Sequence, residues 1–406
     1  MYRKLLAHGS VRWLVASAAA SRITTPVLSL SLLLAVRAEY GSYAAGGLLL
    51  AGYSFAYALS APVMGRLADR FGPRPVLLGC LAVHVPAYAA MIAALAARAP
   101  AGVLAGCAVV LGGSVPPAGP VVRGAWAAVV PADELRSAYA LDAVLNESAL
   151  IVGPLLVAVL VAFVPARFVV MVAGFGMTIG VLILANAPAL RTRTAAGAER
   201  GRGNLLGPLA FGQVRVMLVI AAFDAFTFGG TVVAITATAT FHHAASAAGV
   251  LIGVVSAGVV ISGLIYGSRK RGGSARRQMV FLYALGGALL VAAAFSPSLV
   301  LLGAVLLAMG FIGGPRDTLV QLVLGDAAVQ RRTEAFGWLT TVMWTGYGIG
   351  TSVVGQAVGS ASGGATAAFL VGAAANGAAA IVALGVRHSD AVTEQVPSPA
   401  SAPAEP

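Results

Sequence analysis

Charge is scarce in this chain. Asp, Glu, Lys and Arg together make up 10% of its 406 residues, where an ordinary soluble domain carries roughly 25%. Too few polar side chains exist to cover a water-facing surface. That excludes a soluble enzyme, a nucleic-acid-binding module and a disordered chain. Cysteine is nearly absent: Cys80 and Cys107 lie in apolar runs without metal-ligand spacing, so neither a disulfide framework nor a metal is expected. Lysine occurs only as Lys4 and Lys270, against 24 arginines; with the alanine and glycine load, this points to a GC-rich bacterial genome. No Gly-x-x-x-x-Gly-Lys-[Ser/Thr] segment occurs, so nothing cradles a nucleotide for ATP-driven work. No Asp-rich metal motif or other catalytic constellation is present. We expect no cofactor and no enzymatic activity.

What is present is apolar. Hydrophobic residues make up 59% of the chain and glycine adds 50 more, for a mean hydropathy of +0.90. A bilayer core of ~30 Å takes about 20 apolar residues per helix. Cutting the sequence at its charged and Gly/Pro/Ser-rich punctuation leaves spans near 12–36, 41–64, 75–97, 101–127, 138–163 and 168–190. A second set follows near 214–240, 247–267, 279–295, 299–323, 335–358 and 365–387. The predicted fold class is therefore an all-α polytopic membrane protein of twelve transmembrane helices. Arg191, Arg193, Glu199, Arg200 and Arg202 break the chain into six plus six. The expected organisation is a bundle over 1–190, a linker loop over 191–213, a bundle over 214–387 and a disordered tail over 388–406.

The +12 net charge does not indicate nucleic acid, because of where it falls. With the first residues in the cytoplasm, 22 of the 26 basic residues reach cytoplasmic ends and loops. Arg37, Arg98 and Arg167 fall outside and Arg22 lies within a span. By the positive-inside rule both termini are cytoplasmic, in a bacterial inner membrane.

The two halves look alike. Arg22, Thr25 and Ser29 form one helical stripe in the first span; Asp224, Thr227 and Thr231 repeat its spacing in the seventh. The fourth span is interrupted at Pro116, Pro117, Gly119 and Pro120 before Arg123. The tenth is expected to break similarly at Gly313, Gly314 and Pro315 before Arg316. Interrupted helices in matching positions of two halves point to a transport pathway.

Between the second and third spans runs Gly65-Arg66-Leu67-Ala68-Asp69-Arg70-Phe71-Gly72-Pro73-Arg74-Pro75-Val76-Leu77. It resembles the signature loop of the major facilitator superfamily, Gly-x-Leu-Ala-Asp-Arg-x-Gly-Arg-Lys-x-x-Leu, with Pro73 in place of a basic residue and Arg74 in place of lysine. The resemblance implies a fold of two pseudo-symmetric six-helix bundles. It also implies a conformational latch in which Gly65, Asp69, Arg70, Gly72 and Arg74 meet the start of the eleventh helix, around Thr333 to Phe336. Asp69 is the anion suited to a helix N-terminus. The equivalent second-half loop, Gly267-Ser268-Arg269-Lys270-Arg271-Gly272, has lost the acid. In the fifth span only Gly153-Pro154 remains of the family's antiporter motif.

A charge near the bilayer centre costs at least ~2.5–3.5 kcal/mol, so intramembrane charges face a partner or a cavity. In the family the first and seventh helices line the cavity. Arg22 and Asp224 then either form a static pair or serve substrate and proton, together with Thr25, Thr227 and Thr231. Glu147 is a second proton-carrier candidate, or a fixed tie between helices. Asp142 is expected to serve Arg123 or Arg136, and Arg316 with Asp317 to pair locally. Tyr53 and Tyr57 in the second span, and Trp344 and Tyr347 in the eleventh, are candidates for an aromatic cavity lining. The expected function is secondary transport by alternating access, with proton-coupled export of a small organic molecule favoured. Uptake of a sugar or other nutrient, or a non-transporting membrane sensor, are the alternatives. The expected partners are a small solute, protons and lipid, with the protein a monomer.

Overall fold

The computed structural model describes residues 2–41, 43–191, 207–244, 247–269, 273–360 and 364–386. Among these residues every regular element is helical. A short helix α1 (Tyr2–Ala7) leads into α2 (Gly9–Arg22) and α3 (Thr24–Tyr40), which together make the first span. Then come α4 (Tyr43–Phe71), α5 (Pro73–Ala96), α6 (Ala101–Gly113), α7 (Ala118–Val129), α8 (Leu135–Val161), α9 (Ala166–Asn186) and α10 (Pro188–Arg191). A 3-10 turn at Gly207–Ala210 precedes α11 (Gly212–Phe241), α12 (Ala247–Ser268), α13 (Ala275–Ala294), α14 (Leu299–Ala327), α15 (Arg332–Ser360) and α16 (Gly364–Ala383).

Eleven spans among the described residues are long and apolar enough to cross a membrane. The expected eleventh span, not among them, is α15, whose 29 residues reach ~44 Å at 1.5 Å per residue. Its length matches the others, but Glu334, Thr340, Thr341 and Gln356 dilute its hydropathy. Of the expected linker 191–213, residues 192–206 lie outside the described residues, the 3-10 turn occupies 207–210, and α11 already begins at Gly212. The expected tail, 388–406, lies wholly outside them.

The fourth span breaks where its prolines sit: α6 ends at Gly113 and α7 restarts at Ala118, since adjacent prolines remove two helix donors and clash with the preceding turn. The expected matching break in the tenth span does not occur. Helix α14 runs unbroken through Gly313, Gly314 and Pro315. There the glycines serve close packing instead. A methyl added at Gly314 would lie 2.6 Å from the Ser262 hydroxyl and the Val259 carbonyl oxygen of α12. Ser262 Oγ donates to the Gly310 carbonyl across the same seam at 3.2 Å. A single proline is tolerated in a membrane helix when neighbours satisfy the groups it strands.

Within the first half, α9 packs on α2, α3 and α5, and α4 on α6; within the second, α12 packs on α14, and α16 on α11 and α13. Across the halves α4 lies on α15, and α8 on α12 and α14. Large apolar side chains such as Leu48, Phe55, Val300 and Ile381 remain exposed on the periphery, which is the surface a helix bundle presents to lipid. The end of α4 and the start of α5 carry Arg66, Arg70 and Arg74 and mark what we term the basic end.

Candidate functional site

Among the described residues, each half holds an ion network in its interior. In the first, Arg22 at the end of α2 places Nη2 2.5 Å from Asp142 Oδ1 on α8 and donates through Nη1 to the Asp142 backbone oxygen. Arg123 of α7 donates from Nε to Asp142 Oδ2 at 3.1 Å, and Trp126 Nε1 donates to Oδ1 at 3.2 Å. The Asp142 side chain is fully buried. Two guanidiniums thus share one carboxylate, and Tyr57 of α4 lies within electrostatic reach of both.

The second network is centred on Arg316 of α14. Its Nη1 lies 3.1 Å from Asp224 Oδ1 on α11 and donates to Asn376 Oδ1 on α16 at 2.7 Å. Its guanidinium carbon sits 4.7 Å from the Tyr283 ring centroid. Asn376 in turn donates to Thr227 Oγ1 at 3.1 Å. Asp317, one residue on, has Asp224, Glu147, Arg316 and Arg123 as its charged neighbours. One open alternative is thereby decided and one expectation corrected. Arg22 and Asp224 do not pair with each other: each takes its counter-charge from its own half. Nor is Arg316 locally paired with Asp317, because its guanidinium reaches α11 and α16 instead.

Of the seventh-span stripe, Thr227 turns towards α16, Thr231 is buried, and Asp224 keeps 27% of its side chain exposed. Thr25 is half-buried. Glu147 of α8 faces α12 across the midline, with Ser256 beside its carboxyl. Tyr53 and Tyr57 stack with ring centroids 6.4 Å apart, and Trp344 meets Tyr347 edge-on at 6.3 Å. Tyr53 is buried in its own half against α6, while Trp344 stays exposed.

At the basic end the two halves are joined by backbone caps. Asp69 accepts from the backbone N–H groups of Thr333 at 3.3 Å and Glu334 at 2.8 Å, the first turn of α15. Those donors have no partner inside their own helix, and an anion also suits the helix dipole there. Gly65 makes the approach possible, since a methyl on it would come 2.6 Å from the Thr333 carbonyl oxygen. Gly72 adopts φ +89° and lets the chain turn into α5. Arg70 and Arg74 are exposed, with Arg70 over the Phe71 ring. Arg66 donates from Nε and Nη2 to Glu334 Oε1 at 2.9 and 2.6 Å, while Thr341 Oγ1 donates to the Ala58 carbonyl.

Sequence reasoning missed Arg316 as the partner of Asp224, Arg22 as a partner of Asp142, and the Glu334 carboxylate as the partner of Arg66. One signal was available: Arg123 and Arg316 follow equivalent Gly/Pro segments, so equivalent anchoring roles could have been read from the internal repeat.

The Major Facilitator Superfamily family model matches residues 14–265. No curated protein matches the chain. Among solved structures, the human organic anion transporter MFSD10 (TETRAN) superposes with a TM-score of 0.72 at 18% identity, over 92% of this chain and 99% of that one. The proton:xylose symporter XylE gives 0.72 at 12% identity, over 93% and 95%. A bacterial homologue of the iron transporter ferroportin, in its outward-facing state, gives 0.71 at 14% identity, over 92% and 98%. At such identities the likeness is one of fold. The family match spans more than half of the sequence, and together with the helical architecture it makes this chain a multi-pass membrane protein of the major facilitator superfamily of transporters.

Proposed function

We propose that the protein is a secondary active transporter that works by alternating access and exports a small organic molecule in exchange for protons. Residues 1–190 and 214–387 act as the two rocking bundles, and the basic end faces the bacterial cytoplasm, as the distribution of arginine requires. The observation that carries the reading is the pair of ion networks. Arg22 and Arg123 find Asp142 within the first half, and Arg316 finds Asp224 within the second, so these pairs stay whole when the halves separate. Between them Glu147 faces α12 across the midline, with Ser256 beside it and no arginine holding it in an ion pair among the described residues. That makes Glu147 the better proton carrier than Asp224, which Arg316 already holds. The capped basic end is the closed cytoplasmic gate of an outward-facing state, with Asp69 as its latch.

Export is favoured by the Gly153-Pro154 remnant and the aromatic pairs on α4 and α15. Proton-coupled uptake is the second reading, because structures with this fold include a proton:xylose symporter and a fucose:proton symporter. Purified protein in proteoliposomes with an imposed pH gradient tests both. Export predicts accumulation of solute on the acidic side from the basic-end face, and uptake predicts that solute and protons move together. No flux of any solute from a broad panel would sink the transporter reading in favour of a sensor.

A further inference from the structure

The second-half loop after α12 lacks the acid that its first-half counterpart uses, yet α12 is gripped at this end as firmly as α15. The chemistry is reversed. At α15 an anion meets the N-terminus of a helix; at α12 donors meet a C-terminus, where carbonyl oxygens are left without helical partners. Ser137 Oγ of α8 donates to the Gly267 carbonyl at 2.5 Å. Tyr2 Oη of α1 donates to the Leu264 carbonyl at 3.0 Å. Arg136 donates to the Arg269 carbonyl at 3.5 Å and lays its guanidinium 5.2 Å from the Tyr266 ring centroid. Gly267 leaves the room this needs, because a methyl there would overlap the Ala140 side chain and the Tyr2 hydroxyl. Helix α1 is itself anchored: Leu5 is fully buried, and His8 Nε2 lies 3.3 Å from Glu134 Oε2. Tyr2 lies outside the spans, and burial pushes its phenol up to about 12, so the hydroxyl remains a donor at neutral pH.

We propose that Tyr2 and Ser137 form a second lock between the halves, a C-terminal cap on α12 that complements the N-terminal cap Asp69 places on α15, with α1 as the strap that carries it. The two locks explain the loss of the acid. A carboxylate beside the last carbonyls of α12 would repel them, so donors serve where an anion cannot. Each lock belongs to the closed basic end only, because all of its bonds cross from one half to the other.

The test reads closure rather than flux, so it stands or falls independently of solute, direction and coupling. Nitroxide labels go on Asn186→Cys and Arg276→Cys, two exposed positions at the basic end in opposite halves, in a Cys80→Ala, Cys107→Ser background of the full chain. Electron–electron distance measurements then report the ratio of open to closed forms. Tyr2→Phe with Ser137→Ala is expected to raise that ratio roughly tenfold, in keeping with the loss of two neutral hydrogen bonds. Tyr2→Phe alone removes one oxygen from a half-buried ring and should give about a threefold rise even if the double variant folds poorly. Deleting residues 2–7 should move the distribution the same way. Distance distributions identical to the parent in Tyr2→Phe and in the deletion would overturn the proposal.

Discussion

Two guanidiniums and an indole converge on Asp142, so the cost of removing its charge is not that of one hydrogen bond. Asp142→Asn removes the carboxylate that Arg22 and Arg123 share inside the bundle. The expected loss is about 3–5 kcal/mol of stability, seen as a lower unfolding midpoint in detergent. Arg22→Gln should cost clearly less, because Arg123 and Trp126 still satisfy Asp142. Equal losses for the two variants would argue against the shared-carboxylate description. The same logic separates the acids near the midline. Asp224→Asn removes the carboxylate beside Arg316 and is expected to destabilise the fold, whereas Glu147→Gln removes a carboxyl that no arginine pairs among the described residues and should leave stability near that of the parent. If Glu147 carries the proton, Glu147→Gln retains solute exchange but loses gradient-driven accumulation in proteoliposomes. Accumulation as strong as the parent's would remove it from that role.

Helices α6 and α7 differ from α14 although both spans carry glycine beside proline before an arginine. Two adjacent prolines break the fourth span, while one proline in the tenth is accommodated. The reason lies in the neighbour: α12 packs on α14 so closely that Gly314 has no space for a side chain. Gly314→Val is therefore expected to force α12 and α14 apart and lower stability by about 1–3 kcal/mol or more. Pro315→Ala restores a helix N–H and should be tolerated. A thermal shift larger for Pro315→Ala than for Gly314→Val would show that the proline, and not the seam, governs this span.

At the scale of the whole molecule the two halves meet through helix ends at the basic end. Asp69→Asn keeps the side chain's shape but weakens charge-assisted bonds worth roughly 1.5–3 kcal/mol, enough to tip a near-balanced equilibrium. The Asn186/Arg276 label pair should then report a larger open fraction, and an unchanged distribution would deny Asp69 the role of latch. Orientation is checked separately with an impermeant thiol reagent on intact cells. A cysteine at His242, beyond the end of α11, is expected to react, and one at Ser268, at the end of α12, is not. The reverse pattern would invert the topology.

Hydropathy and charge placement alone located the spans, though α4 runs on to Phe71 past the expected end near 64, because membrane crossing is a one-dimensional constraint: enough apolar residues in a row, with arginine at the ends. The loop Gly65–Leu77 likewise carried the family and the capping anion, since a helix N-terminus asks only for a carboxylate at the right place. Depth was legible too, so Arg22, Asp224 and Glu147 stood out as costly charges. Which of them pair was not legible. Depth leaves the azimuth of a helix undetermined by tens of degrees per residue, and only packing decides which neighbour a guanidinium meets. That packing gave Arg22 to Asp142 and Asp224 to Arg316, turned Thr227 towards α16, and kept α14 whole by pressing α12 against its glycines. It also set the Tyr2 and Ser137 hydroxyls against the end of α12, a contact between residues far apart in the chain that no local pattern encodes.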